Sequence, residues 1–255
     1  MALLAHGVWD AMISRADTIK GPAFLNGGTL QTFDRVLSHP EFSRPNWGHD
    51  EAIADGFRRF VPVPPPRQYG DLAFVQHALA TLTNEGRAVL VMPHGVLFRG
   101  GNEAEIRKGF LKEDLVEAII GLPSNLFYGT SIPAAVLVLN RAKPSERRGK
   151  VLLINASQEF EGGKAQNYLR EKDVQKIAAI FHAFKDVERY AQVVQIEEIE
   201  RNNFNLNISR YVDTAEAKQV MNVSEAVRKL RQIEAERTTA ETKMNAFLKD
   251  LGYDN

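Results

Sequence analysis

The sequence of 255 residues contains no cysteine. That removes disulfides, thiolate-bound zinc and a cysteine nucleophile together. A chain without thiols fits a reducing compartment, and a cytoplasmic location is the expectation. Charge of either sign in excess is also lacking: Lys plus Arg number 32, Asp plus Glu number 32, and the formal net charge is zero. Bulk positive charge therefore does not hold this chain to nucleic acid, whereas a local basic patch is compatible with that balance. No apolar run nears the ~20 residues that span a bilayer, so no membrane contact is expected. Met1 to Asp17 has neither the apolar stretch nor the cleavage pattern of a signal peptide. There is no Gly-x-Gly-x-x-Gly and no Gly-Lys-Ser/Thr phosphate loop. The six histidines offer no i, i+4 pair beside a carboxylate, and a metal site is not expected.

What is present is an alternation of short apolar runs with helical stretches. Phe33 to Ser38 reads as a strand closed by Pro40. Leu72, Val75, Leu79 and Leu82 recur at helical spacing, Asn84-Glu85-Gly86 reads as the turn that ends the helix, and Arg87 to Met92 as a buried strand. Asn102 with Glu105 three residues on suggests a capping box for a helix through Leu111. Leu115–Gly121, Ala134–Asn140 and Val151–Asn155 are further strand-like runs. This grammar predicts an α/β fold with a doubly wound, Rossmann-like sheet, whose site lies at the carboxyl ends of the strands. Those ends carry Ser38-His39-Pro40, Pro93-His94-Gly95 and Pro123-Ser124-Asn125. Such a sheet ordinarily opens on a glycine-rich turn; without one, the chain reads like the second half of the domain. Three zones follow: 1–150 as a partial catalytic domain, 151–214 as its end and a connecting region, and 215–255 as one long helix. In that helix Val223, Val227, Leu230 and Ile233, then Met244, Phe247, Leu248 and Leu251, form a stripe interrupted by Arg237, Thr238 and Glu241.

Several segments stand in a fixed order: Met1 to Gly7, Arg15 to Ile19, Phe33 to Ser43, Tyr69 to His77, Gly86 to Gly100, Gly121 to Thr130, and Phe204 to Tyr211. Together they resemble the modification (methyltransferase) subunit of type I restriction-modification systems, within the adenine-specific amino-methylating DNA methyltransferases. The resemblance spans nearly the whole chain and begins partway through that family's catalytic domain. It implies transfer of a methyl group from S-adenosylmethionine to adenine N6 in DNA. The implied partners are DNA, a specificity subunit met by the C-terminal helical region, and a restriction subunit.

The resemblance also assigns residues. Asp17 falls where the family contacts the cofactor's adenine, and Asp71 and Phe74 match a segment bordering the cofactor and base pockets. The family's Asn-Pro-Pro-Phe/Tyr motif corresponds to His39-Pro40-Glu41-Phe42. Phe42 keeps the stacking ring and Pro40 one carbonyl and a stiff turn. His39 replaces the amide oxygen with a ring nitrogen of different reach, and Glu41 brings a charge in place of the second proline. Phe127 and Tyr128 match an aromatic position that helps hold the extruded base, and Arg99, before Gly100-Gly101, is a candidate for a DNA phosphate at a helix N-terminus. Plainer roles are open for each: packing rings for Phe127 and Tyr128, a helix cap for Asp71, a core ring for Phe74, an ordinary loop around Arg99. Val63-Pro64-Pro65-Pro66 reads as a stiff surface loop or a polyproline ligand. The expectation is a truncated methyltransferase subunit with a degenerate motif, inactive by itself. The alternatives are a non-enzymatic remnant that binds a specificity subunit and DNA, and one half of a split enzyme.

Overall fold

The computed structural model describes residues 6–213 and 223–251. The chain divides into two compact units, 1–214 and 215–255. In chain order the first contains the hairpin β1 (Leu25–Asn26) and β2 (Thr29–Leu30), then β3 (Phe33–Ser38), α1 (His49–Ile53), α2 (Asp71–Ala80), β4 (Leu82–Pro93), α3 (Asn102–Lys112), β5 (Val116–Gly121), β6 (Ala134–Asn140) and β7 (Lys150–Asn155). A second small hairpin, β8 (Glu161–Gly162) and β9 (Asn167–Tyr168), precedes α4 (Glu171–Ala183), β10 (Ala191–Gln195) and α5 (Ile196–Arg201).

Six strands form one sheet in the order β10-β7-β5-β6-β4-β3. β3 and β4 run parallel, as do β5 and β7, while β6 is antiparallel to both of its neighbours and β10 to β7. The sheet is therefore mixed, with the Rossmann-like arrangement of a methyltransferase-type fold and helices on both faces. Its central strands are mostly apolar because both faces are covered: every residue of β5 is buried, including Glu117, whose carboxylate is paired with Arg87 and Arg147. Leu90, Met92, Leu137 and Leu153 pack on one face beneath α2 and α3, with Ile106 and Phe110 from α3 among them. Ile120, Val138, Leu152 and Ile154 face the other way, against Ile177 and Phe181 of α4.

Two local expectations are corrected. Asn84-Glu85-Gly86 is not a turn but part of β4, which begins at Leu82. The pairing with β3 slips there, between Phe33 and Arg35. A Cβ on Gly86 would sit 3.1 Å from the Phe33 carbonyl oxygen, so the glycine marks close approach of two backbones rather than a chain reversal. Asn102 does not cap α3. The cap position is Gly101, at φ 63°, and no side chain bonds to it. The Asn102 amide donates instead to the Pro64 carbonyl at 2.9 Å. That bond helps hold the Val63–Pro66 segment as a stiff loop, whose Pro66 carbonyl accepts from the Trp47 indole at 3.1 Å.

β3 has no strand beyond it among the described residues, and Leu37 on this edge is 81% exposed. The second unit contains the helix α6 (Val223–Asp250). Taken by itself it exposes Val227, Leu230, Ile233, Met244, Phe247 and Leu251. The middle is polar: the Thr238 and Thr242 hydroxyls donate to the carbonyls four residues back, and Arg237 pairs with Glu241. Val223 lies at the helix start, and its side chain is outside the described ones.

Candidate base and cofactor site

The carboxyl end of β3 delivers His39 and the loop after it to the end of the sheet where β4 and β5 also finish. Three aromatic rings converge there. His39 lies 5.5 Å from Phe42 and 4.7 Å from Phe127, ring centre to ring centre, and Phe42 and Phe127 are 6.1 Å apart, nearly perpendicular. Phe127 comes from the loop after β5, where Asn125 adopts φ 56° and Phe127 bridges back to Thr130. Rings at this spacing attract one another by ~0.5–1.5 kcal/mol per pair beyond burial. They also present faces of the size a nucleobase stacks on. Tyr128, the other aromatic at this position, points away: it is 90% exposed.

Glu41 does not enter an enclosed pocket. Its side chain is 72% exposed and faces Arg44 at 4.0 Å, so its charge is solvated. The departure that bears on the ring cluster is His39, whose imidazole forms the third corner of a triangle with the two phenylalanines.

Next to Pro40 a cavity of about 420 Å³ is lined by Ala16, Thr18, Phe24, Ser38, Phe74 and His77, among others. Phe74 borders it and packs on the cluster of Ile19, Trp47 and Phe60. Asp17 itself makes an Asx turn, its Oδ1 accepting from the backbone N–H of Ile19 and Lys20, both at 3.1 Å. What holds this segment against α2 is Arg59, 5% exposed. It donates to the carbonyls of Thr18 and Ile19 at 2.9 and 2.6 Å and pairs with Asp55 at 2.8 Å. Burial alone would raise the Asp55 pKa, but the Arg59 bonds outweigh it and hold the carboxyl below its ordinary range. Arg59 also lies 3.2 Å from His77 Nδ1. Burial, and then this guanidinium, push the His77 pKa down to about 4.

Asp71, the first residue of α2, is 1% exposed and holds the loop that follows β3. Its Oδ1 accepts from the Ser43 backbone N–H at 2.6 Å, and its Oδ2 receives Arg99 at 3.0 Å. Arg99 also pairs with the buried Glu103 at 3.1 Å and lies over the Tyr69 ring at 4.3 Å. Asp71 is thus neither a helix cap nor a free acceptor, and Arg99 already has two carboxylate partners. Sequence reasoning missed Trp47, Arg59 and Glu103. Their signal, isolated bulky or charged residues in otherwise ordinary text, is invisible without the contacts that bury them.

The cavity offers an apolar wall and a few small polar groups, which suit one side of a purine nucleoside. None of its lining side chains is a carboxylate that could hold ribose hydroxyls. The residues present fit one wall of an S-adenosylmethionine site and not the whole of it.

The profile of the N-6 DNA Methylase family matches residues 1–220, and the chain belongs to that family. Within it, the chain is related to methylase subunits of type I restriction enzymes. It is 35% identical over 247 residues to the MjaVIII methylase subunit of Methanocaldococcus jannaschii, an alignment that covers 91% of this chain and 42% of that protein. To the HindI methylase subunit of Haemophilus influenzae it is 32% identical, over 94% of this chain and 55% of the relative. The crystal structure of a type I methyltransferase subunit from Streptococcus thermophilus superposes with a TM-score of 0.76 at 36% identity, over 84% of this chain and 45% of the other. The EcoKI M protein shares the fold, with a TM-score of 0.61 at 19% identity. The chain thus spans roughly half the length of the relatives it matches. Among the described residues no helix is long and apolar enough to cross a membrane.

Proposed function

We propose that this chain is the base-binding half of a type I DNA methyltransferase subunit that methylates adenine N6 from S-adenosylmethionine. In this reading Phe42 and Phe127 stack on the extruded adenine, Pro40 supplies a carbonyl to its amino group, and His39 occupies the place of the amide that would accept the other hydrogen bond. Phe74 forms one edge of the cofactor pocket, Asp17 holds the turn between the lining residues Ala16 and Thr18, and Asp71 fixes the loop that carries Phe42. By itself the chain neither completes the cofactor site nor methylates. The helical unit, residues 215–255, meets a specificity subunit, the assembly includes a restriction subunit, and it works on DNA in the cytoplasm. The observation that carries the reading is the convergence of His39, Phe42 and Phe127 at the end of β3, beside the cavity bordered by Pro40 and Phe74.

The test uses a duplex with 2-aminopurine opposite an abasic site, a base already inclined to leave the stack. The full chain should change its fluorescence on binding, and Phe127→Ala should weaken that binding by ~1–3 kcal/mol, the cost of one lost stacking face. Equal binding by Phe127→Ala would remove the ring cluster from base recognition.

A further inference from the structure

A groove of about 480 Å³ lies on the first unit between α3 and the chain that follows α5. Arg107, Arg201 and Arg210 line it, together with Asn203, Asn205 and the Gly100 backbone at the start of α3. Elsewhere in this unit the arginines with little exposure are matched by carboxylates: Arg59 by Asp55, Arg99 by Asp71 and Glu103, Arg147 by Glu117. The three in the groove bond to neutral oxygens instead. Arg107 is 4% exposed, yet its Nε donates to the Phe204 carbonyl at 3.2 Å and its Nη1 to the Val96 carbonyl at 3.1 Å. Arg201 reaches the Glu197 carbonyl, and Arg210 the Asn202 side-chain oxygen, each at a long 3.4 Å. Both are exposed. Glu103 attracts Arg107 through space, but Arg99 already engages it.

Arg107 is thus a buried guanidinium with no carboxylate bonded to it, and the one that attracts it, Glu103, is shared with Arg99. Burial draws the Arg107 pKa down to about 10. Two more guanidiniums and two asparagine amides around the same opening concentrate positive potential and donors. Fork-shaped donors in this number match the oxygens of a phosphate.

We infer that this groove holds a phosphodiester of the DNA backbone, with Arg107 as its buried floor and Arg201 and Arg210 as its jaws. The inference rests on the reading of the chain as a DNA methyltransferase half. It moves the phosphate contact from Arg99, which two carboxylates hold, to the groove on the far side of the start of α3. Contacts of this kind fix the register of a protein on the duplex and carry no sequence information.

The experiment measures anisotropy of a labelled duplex with the full chain across a salt series. Arg201→Ala and Arg210→Ala together should lower affinity about ten-fold at low salt and reduce the slope of log K against log salt by about 1, the share of the one phosphate they hold. Lys112→Ala with Lys185→Ala removes the same charge from exposed positions elsewhere and should change affinity less than about two-fold. In parallel, inorganic phosphate is titrated against ¹⁵N-labelled chain, and the Arg107 Nε resonance should shift saturably. If the arginine pair binds duplex as the lysine pair does, the groove is not a DNA contact, while the function proposed above stands. Should phosphate move Arg107 but the arginine pair leave duplex binding intact, the groove takes a free anion and the inference is overturned. If the unaltered chain binds no duplex at low salt, the DNA-binding reading and the inference fall together.

Discussion

His77 sits on α2 with a guanidinium beside its Nδ1, and burial and Arg59 hold its pKa down to about 4. The unfolded chain takes up this proton near 6.5, but the folded chain resists until about 4. The unfolded state therefore binds more protons between those values, and stability present above pH 6.5 drains as pH falls toward 4. The contribution is at most about 3 kcal/mol, since each tenfold loss of proton affinity is worth about 1.4 kcal/mol. Urea midpoints measured from pH 7 to pH 4 should fall more steeply for the native chain than for His77→Gln, which has no proton to gain. Parallel curves would mean that His77 takes up its proton in the fold as readily as in the unfolded chain. The same residue shows what a sequence hides. A histidine on an apolar helix face gives no sign that an arginine eighteen positions away is its neighbour.

At the scale of the element, α2 is placed by the glycine before it as much as by its apolar face. A Cβ on Gly70 would lie 2.3 Å from Trp47 Cγ and 2.5 Å from its Cβ. The indole is 2% exposed and anchored to the Pro66 carbonyl, so it cannot yield. Gly70→Ala should cost ~1–3 kcal/mol or more through overpacking, read as a lower urea midpoint at unchanged slope. An unchanged midpoint would show that Trp47 repacks without penalty. Strands β5, β6 and β7 were legible because both faces are buried and their runs are apolar but for Glu117 and the polar residues at the ends. The bulge at Gly86 was not, because glycine in a strand and glycine in a turn look alike in text. Asn102 misled for a similar reason. An asparagine before a helix suits a cap, and only the position of Pro64 turns it elsewhere. Of the site, Phe42 and Phe127 were legible through the family resemblance. The clamp of Asp71 on Ser43 was not, since the two are 28 residues apart. Nor was the solvated position of Glu41, which only its exposure beside Arg44 reveals.

At the scale of the whole molecule, the first unit presents a parallel edge strand with Leu37 81% exposed and Val89 of β4 beside it in register. Edges of this kind recruit other strands unless charge protects them. The chain should associate at tens of micromolar, and Leu37→Lys should shift it toward monomer in sedimentation velocity. A native chain already monomeric at those concentrations would show that the edge is inert.

The central claim is that this chain carries the base side of an adenine methyltransferase and that His39 stands where chemistry needs an amide. Tritiated methyl transfer to DNA tests it, in a chimera of this chain with the N-terminal half of a relative and a specificity subunit present. With the native motif the chimera should be silent, because an imidazole packed against Phe42 and Phe127 cannot meet the amino group as an amide oxygen does, within ~2.6–3.2 Å. His39→Asn with Glu41→Pro should restore transfer, and His39→Asn should account for most of the gain, since Glu41 already faces solvent. Full activity with His39 and Glu41 in place would contradict the account of the motif, and a silent restored chimera would contradict the assignment of the site.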